Sequence, residues 1–230
     1  LGSFAVGIVC LAAYIKRQLS IKVPVLNLHV FTYQGYRVGV MCLMLNFGIT
    51  LAAMYVLPQF YQNAMLIAVA AAGVLMLPGG LINAAVSVAA GTLFDRFGAR
   101  GPVSIGFACS ALASAMLMIA TPETPIWYMV ACHIIMMIGV PLAMSPCQTH
   151  ALASIPPQLN SDGSTIMNTL QQVLGAICTA VATCLLAAGQ NTYFAAGGTD
   201  SALAFTEGSH IGFAFTLICL LYTSPSPRDA

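Results

Sequence analysis

Charge is what this sequence has least of. Only 6% of its 230 residues are Asp, Glu, Lys or Arg, against 59% apolar, and the mean hydropathy is +0.90. A water-soluble domain carries about a quarter charged residues, so a chain this poor in charge cannot cover a soluble surface. From Val38 to Phe94 no charged residue occurs at all. The formal net charge of +1 provides no basic face for nucleic acid and no acidic face for a cationic partner. Reactive patterns are missing as well. There is no CxxC, no HExxH, no GxSxG and no paired-carboxylate arrangement, so an intramembrane enzyme has little to stand on, and neither metal nor cofactor is expected. Cys10, Cys42, Cys109, Cys132, Cys178 and Cys184 lie inside apolar segments and read as small, soft, buried side chains. His29, His133, His150 and His210 fall in separate segments and read as single structural or interfacial residues.

What the chain has instead is long apolar runs. A bilayer takes roughly 20 residues per helical crossing, and turn residues or charges divide the sequence into seven such segments. Leu1 to Ile15 is a partial span ending at Lys16-Arg17, followed by a polar stretch to Arg37 with the amphipathic piece PVLNLHVF. Val38 to Leu57 is the second span, closed by Pro58. Met65 to Ala90 is the third, with a Pro78-Gly79-Gly80 break inside it. Pro102 to Ala120, Ile126 to Met144 and Ser164 to Ala188 follow, and a seventh begins at His210. The expected fold class is an all-α polytopic membrane protein whose main partner is the lipid bilayer. No Asp or Glu lies within any of these predicted spans.

The two ends have their own reading. The chain begins at Leu1, without Met, inside an apolar run. Cys219 to Asp229, CLLYTSPSPRD, resembles the translation of a transposase-type sequencing adapter over all eleven residues. Residues 219–230 are therefore taken as an artefact, with the natural sequence expected to stop near Ile218 inside a helix.

Charge placement orients the set. If residues 16–37 are cytoplasmic, alternation puts the loops around Gln59, Glu123 and Asp200 outside and those around Asp95 and Asp162 inside. With Arg228 set aside, Lys16, Arg17, Lys22, Arg37, Arg96 and Arg100 all fall inside, while Glu123, Asp200 and Glu207 fall outside. Such a bias is what the positive-inside rule expects. GTLFDRFGAR, Gly91 to Arg100, then reads as a short cytoplasmic turn, with loop 91–101 inside the cell. It serves either as a simple topogenic anchor or as a charge latch between helix bundles, in which Asp95 accepts a charge-assisted hydrogen bond from an arginine or a helix N-terminus.

Gly91, Leu93, Asp95, Arg96, Gly98 and Arg100 match the G-x-L-x-D-R-x-G-x-R loop known as motif A of the major facilitator superfamily. Together with PVLNLHVF, LPQFYQNA, LMLPGGLINAAVSVAAGTLFDRFGAR and MSPCQTHALASIPPQLNSDGSTIMNTLQQVLGAICTAV, the chain resembles fourteen-span drug:proton antiporters of the EmrB/QacA type, particularly members linked to lincomycin resistance. The resemblance implies the C-terminal half: a partial central span over 1–15, a cytoplasmic linker over 16–37, and a C-terminal six-helix bundle over 38–218 with a truncated last helix. It further implies that motif A gates inward- and outward-facing states. Proton-carrying acidic residues are expected in the missing N-terminal half, so proton coupling is an implication of the family alone. The implied function is multidrug efflux by proton antiport, exporting small hydrophobic or amphiphilic compounds by alternating access. Two alternatives stand beside it: export of a native metabolite or lipid-like molecule on the same fold, and a non-transporting membrane receptor.

Secondary transporters bind near the midplane, often where helices carry Gly or Pro. Gly80, Asn83 and Ser87 recur at helical spacing with Met76 and Gly91; Asn168, Gln172 and Thr179 do so with Gly175 and Thr183; Asn46 and Thr50 form a shorter set. Such faces either line a substrate cavity or pack helix on helix. Asn168 and Gln172, the larger amides, are the first cavity candidates.

Overall fold

The computed structural model describes residues 2–20, 26–98 and 100–223. Among the described residues seven α-helices follow one another: α1 (Gly2–Ser20), α2 (Gln34–Asn63), α3 (Val69–Phe97), α4 (Arg100–Leu117), α5 (Ile126–Ala153), α6 (Asn160–Ala195) and α7 (Ser201–Thr223). Short 3-10 turns, Leu28–Thr32 and Pro157–Leu159, lead into α2 and α6. Helix is the only regular structure that satisfies every backbone group within one apolar segment. Five helices, α2, α3, α5, α6 and α7, are long and apolar enough to cross a membrane, and α4, with 18 residues, lies between α3 and α5. The molecule is an all-α, polytopic membrane fold.

Helix ends differ from the predicted spans in informative ways. Pro58 does not close α2, which runs on to Asn63, and Pro78 does not break α3. Pro141 and Pro146 likewise sit inside α5. Proline removes one donor, but a membrane helix tolerates that loss where neighbouring helices or side chains re-satisfy the freed carbonyl. The stretch Gly91–Phe97 is the last turns of α3 rather than a turn between helices. The chain reverses only at Gly98, whose φ of 71° suits glycine and whose N–H donates to the Phe94 carbonyl at 2.8 Å. Lys16 and Arg17 lie in α1 and Arg37 in the first turn of α2, so helix covers both ends of the predicted linker. The seventh helix starts at Ser201, nine residues before the expected His210, where Asp200 accepts from the N–H groups of Ala202 and Leu203 at 2.7 and 3.2 Å. It continues through Thr223, and the rest of the suspected adapter lies outside the described residues.

Helices α2, α5 and α7 form the interior. Helix α2 packs on α5, α6 and α7, α5 on α3 and α4, and α7 on α4 and α6. Small residues let them touch. A Cβ on Gly106 would meet the Gly139 carbonyl at 2.7 Å and the Ala143 nitrogen at 2.6 Å, so α4 and α5 cross backbone to backbone. Gly39 meets Ala151 between α2 and α5, and Gly48 meets Cys178 between α2 and α6. The Tyr36 hydroxyl, fully buried, donates to the Gly163 carbonyl at 2.7 Å and ties the start of α2 to the start of α6. None of the α1 side chains described is buried.

Burial is uneven in a way that matters for function. Of the most apolar stretch of α5, 56% is buried, against 28% for α6 and 11% for α3. Helix α3 buries only Ala72, Gly79 and Ala90. Helices α3 and α6 are thus left largely uncovered among the described residues.

Candidate functional site

The predicted site residues divide into three groups. The first is the charged end of α3. Asp95, Arg96, Gly98 and Arg100 are exposed, Gly91 and Leu93 half-buried. Among the described residues, none of the three charges forms an ion pair or a side-chain hydrogen bond. Asp95 stands in the last turn of a helix, where the negative end of the dipole favours cations instead. Arg96, in the same turn, is at the favoured end.

The second group faces outward from α3 and α6. Gly80 and Ser87 are exposed, a Cβ on Gly80 would touch nothing within 4 Å, and the Ser87 hydroxyl donates back to the Asn83 carbonyl at 2.7 Å. On α6, Asn168 and Gln172 are exposed. Their neighbours Thr165 and Thr169 satisfy their hydroxyls on the Ser161 and Thr165 carbonyls at 2.9 Å. The two amides, in contrast, have no hydrogen bond among the described residues. A threonine that bonds its own helix can face lipid cheaply, whereas a free amide cannot.

The third group is turned inward. Asn46 is 1% exposed, and neither its side-chain oxygen nor its nitrogen has a partner among the described residues. Thr50 donates to the Asn46 carbonyl at 2.7 Å and Thr179 to the Gly175 carbonyl at 2.8 Å. Asn83 donates its amide to the Met137 carbonyl at 3.2 Å, so it reads partly as a packing residue between α3 and α5.

Sequence reasoning missed several features. His133 is buried at 1% exposure against Gly79 of α3, and neither ring nitrogen is partnered among the described residues. A lone histidine in an apolar run gives no hint of this, because only the tertiary fold brings Gly79 over the ring. His210, by contrast, hydrogen-bonds the Ala120 carbonyl at 2.6 Å. Glu207 was expected in a loop, but lies within α7, in a helix long and apolar enough to span. Asp95 and Asp162 likewise lie within α3 and α6, so the long helices take in carboxylates that the shorter predicted spans leave out.

Helix direction alternates along α2 to α7, so the structure gathers the arginines of these helices at one end, together with Asp95 and Asp162. Arg37, Arg96 and Arg100 mark one end, at the starts of α2 and α4 and the end of α3. Glu123, Asp200 and Glu207 mark the other.

Comparison with known proteins agrees with this architecture. The family profile described as Major Facilitator Superfamily matches residues 5–179. A lincomycin resistance protein of Listeria monocytogenes is 37% identical over 220 residues, covering 94% of this chain and 47% of the relative. The lincomycin resistance protein of Bacillus subtilis is 35% identical over 221 residues, covering 94% and 46%. A multidrug export protein of Haemophilus influenzae is 24% identical over 179 residues, covering 77% and 35%. The chain spans about half the length of the two lincomycin resistance proteins it matches. With long apolar helices crossing at small residues, arginines gathered at one end and a profile match over most of its length, the chain belongs to the Major Facilitator Superfamily.

Proposed function

We propose that this chain supplies one bundle of a fourteen-span exporter of the EmrB/QacA type, set in the plasma membrane of a bacterium. It moves hydrophobic or amphiphilic compounds out of the cell in exchange for protons, by alternating access. The relatives named for lincomycin resistance and multidrug export support the substrate class. The division into a central span over 1–15, a linker over 16–37 and a bundle over 38–218 belongs to the same proposal, as does a proton site in the other half.

The observation that carries the reading is the uncovered face of α6. Asn168 and Gln172 stand exposed and unbonded among the described residues of an apolar helix. Against lipid, each unsatisfied amide costs about 1 kcal/mol or more. The face is stable only when turned toward another bundle or a water-filled path, and both conditions are met at a central transport site. Gly80 and Ser87 on α3 belong to that path, while Asn46, Asn83, Thr50 and Thr179 support its walls.

In the full-length transporter, Asn168→Leu with Gln172→Leu is expected to cut dye efflux from energised vesicles by roughly tenfold, the equivalent of ~1.4 kcal/mol. Membrane insertion should stay the same or improve, since both changes favour lipid. Efflux at the parent rate would remove α6 from the transport path.

Orientation is tested separately. Single cysteines at Glu123 and Phe97, in a cysteine-free parent, should react with an impermeant thiol reagent from outside and inside respectively. Phe97 is exposed and helical, so a cysteine there is accessible without disturbing the positive φ of Gly98. Reversed labelling would place loop 91–101 outside the cell.

A further inference from the structure

Glu207 lies in a cleft of about 200 Å³ between α6 and α7, lined by Gly189, Thr192, Tyr193, Ala196, Glu207 and Ile211. The cleft has a clear origin. A Cβ on Gly189 would meet the Gly208 Cα at 2.5 Å, and a Cβ on Gly208 would collide with the Leu186 carbonyl. The two helices therefore cross as tightly as backbones allow at this pair, and helices that cross at an angle must splay beyond it. The cleft lies beside that crossing, with Gly189 itself in its lining.

Its chemistry is specific. Among the described residues the Glu207 carboxylate has no ion pair or hydrogen bond. The nearest imidazole on its helix, His210, is engaged with the Ala120 carbonyl, and Asp200 caps α7. Tyr193 sets an aromatic ring in the wall, held edge-to-face against Phe194 at 5.9 Å and under Gly198. The Thr192 hydroxyl donates to the Ala188 carbonyl and keeps acceptor capacity. Ile211 and Ala196 complete an apolar lining. A carboxylate, an aromatic face and an apolar wall together select an organic cation. The volume is below the range of drug-sized sites, roughly 300–1,000 Å³, so the cleft holds a head group rather than a whole drug.

We propose that the α6–α7 cleft is a binding site for a substituted ammonium group, with Glu207 as its counter-charge and Tyr193 as its cation–π wall. The ammonium comes either from a phospholipid head group or from a free amphiphilic amine. This site is separate from the transport path proposed above, and its test does not depend on efflux.

The full-length transporter in nanodiscs of phosphatidylglycerol is titrated calorimetrically with hexyltrimethylammonium. Saturable binding is expected, weakened about tenfold by Glu207→Gln and also by Tyr193→Leu, and retained by Tyr193→Phe. Ile211→Trp, which fills the cleft and leaves the charge in place, should abolish it. Replacing a third of the lipid by phosphatidylethanolamine identifies the source: raised apparent Kd assigns the site to the lipid head group, and unchanged Kd assigns it to free amines. The proposal is overturned if the parent shows no saturable binding, or if folded Glu207→Gln or Ile211→Trp binds as the parent does.

Discussion

Gly139→Val in the full-length transporter is expected to lower thermal stability in detergent sharply. A Cβ at Gly139 would lie 2.6 Å from the Gly106 carbonyl oxygen and 2.9 Å from the Ser110 nitrogen. These are backbone atoms of α4, which cannot rotate out of the way as a side chain can. Relief requires α4 to move off α5, and that would open the packing around Phe107, Ala143 and Ala113. Overpacking of this kind costs about 1–3 kcal/mol, occasionally more. In a bilayer there is no hydrophobic force to draw the helices back, because lipid is as apolar as they are. Gly73→Ala is the matched control. It adds a methyl where nothing lies within 4 Å and replaces the poorer helix former, so stability should be unchanged or up by about 0.5–1 kcal/mol. Equal melting of Gly139→Val and Gly73→Ala would mean that α4 and α5 do not cross at this point.

The contrast between these glycines also marks what the sequence conveys and what it does not. Seven helices and the apolar class were legible because hydropathy over some 20 residues is a strong signal. Helix ends were not. Helix α6 has 36 residues, about 54 Å at 1.5 Å per residue, well beyond a hydrocarbon core of roughly 30 Å. Its last turns, around Gln190, Asn191 and Thr192, are polar and leave no mark on a hydropathy pattern, although they form one wall of the α6–α7 cleft. The early start of α7 hid Glu207 in the same way. Pro58 and Pro78 were read by rules drawn from water-soluble helices, where an unsatisfied carbonyl simply meets solvent and the helix stops.

The candidate site was legible in part. Motif A and the polar stripes can be seen in one dimension because their spacing is helical. Which way a stripe points cannot, since Asn46 and Asn168 have the same chemistry in the same kind of helix. Asn46 is shut inside by its position on the crowded face of α2, and Asn168 is open because no described residue covers its face of α6. His133 and Glu207 needed tertiary structure outright.

Asp95→Asn is expected to reduce export by the full-length transporter at least about tenfold while membrane expression stays near the parent level. The reason lies in where Asp95 stands. It occupies the last turn of α3, where the helix dipole penalises a carboxylate by about 0.3–1 kcal/mol, and no described residue compensates it by an ion pair. For this bundle alone, asparagine would be the better residue. If the stretch only anchored topology through Arg96 and Arg100, the substitution would therefore stabilise the helix end slightly and leave export untouched. If Asp95 instead latches onto a donor in the partner bundle, asparagine keeps the shape but loses the charge-assisted bond, which is roughly twice as strong as a neutral one. Losing about 1.4 kcal/mol from one of two alternating states shifts their ratio tenfold, enough to stall a cycle that must visit both. The two roles thus predict different export from the same variant. Dye efflux, with surface expression and thermal melting measured in parallel, separates them: a melting point at or above the parent's with lost export assigns the latch, and full export assigns the anchor.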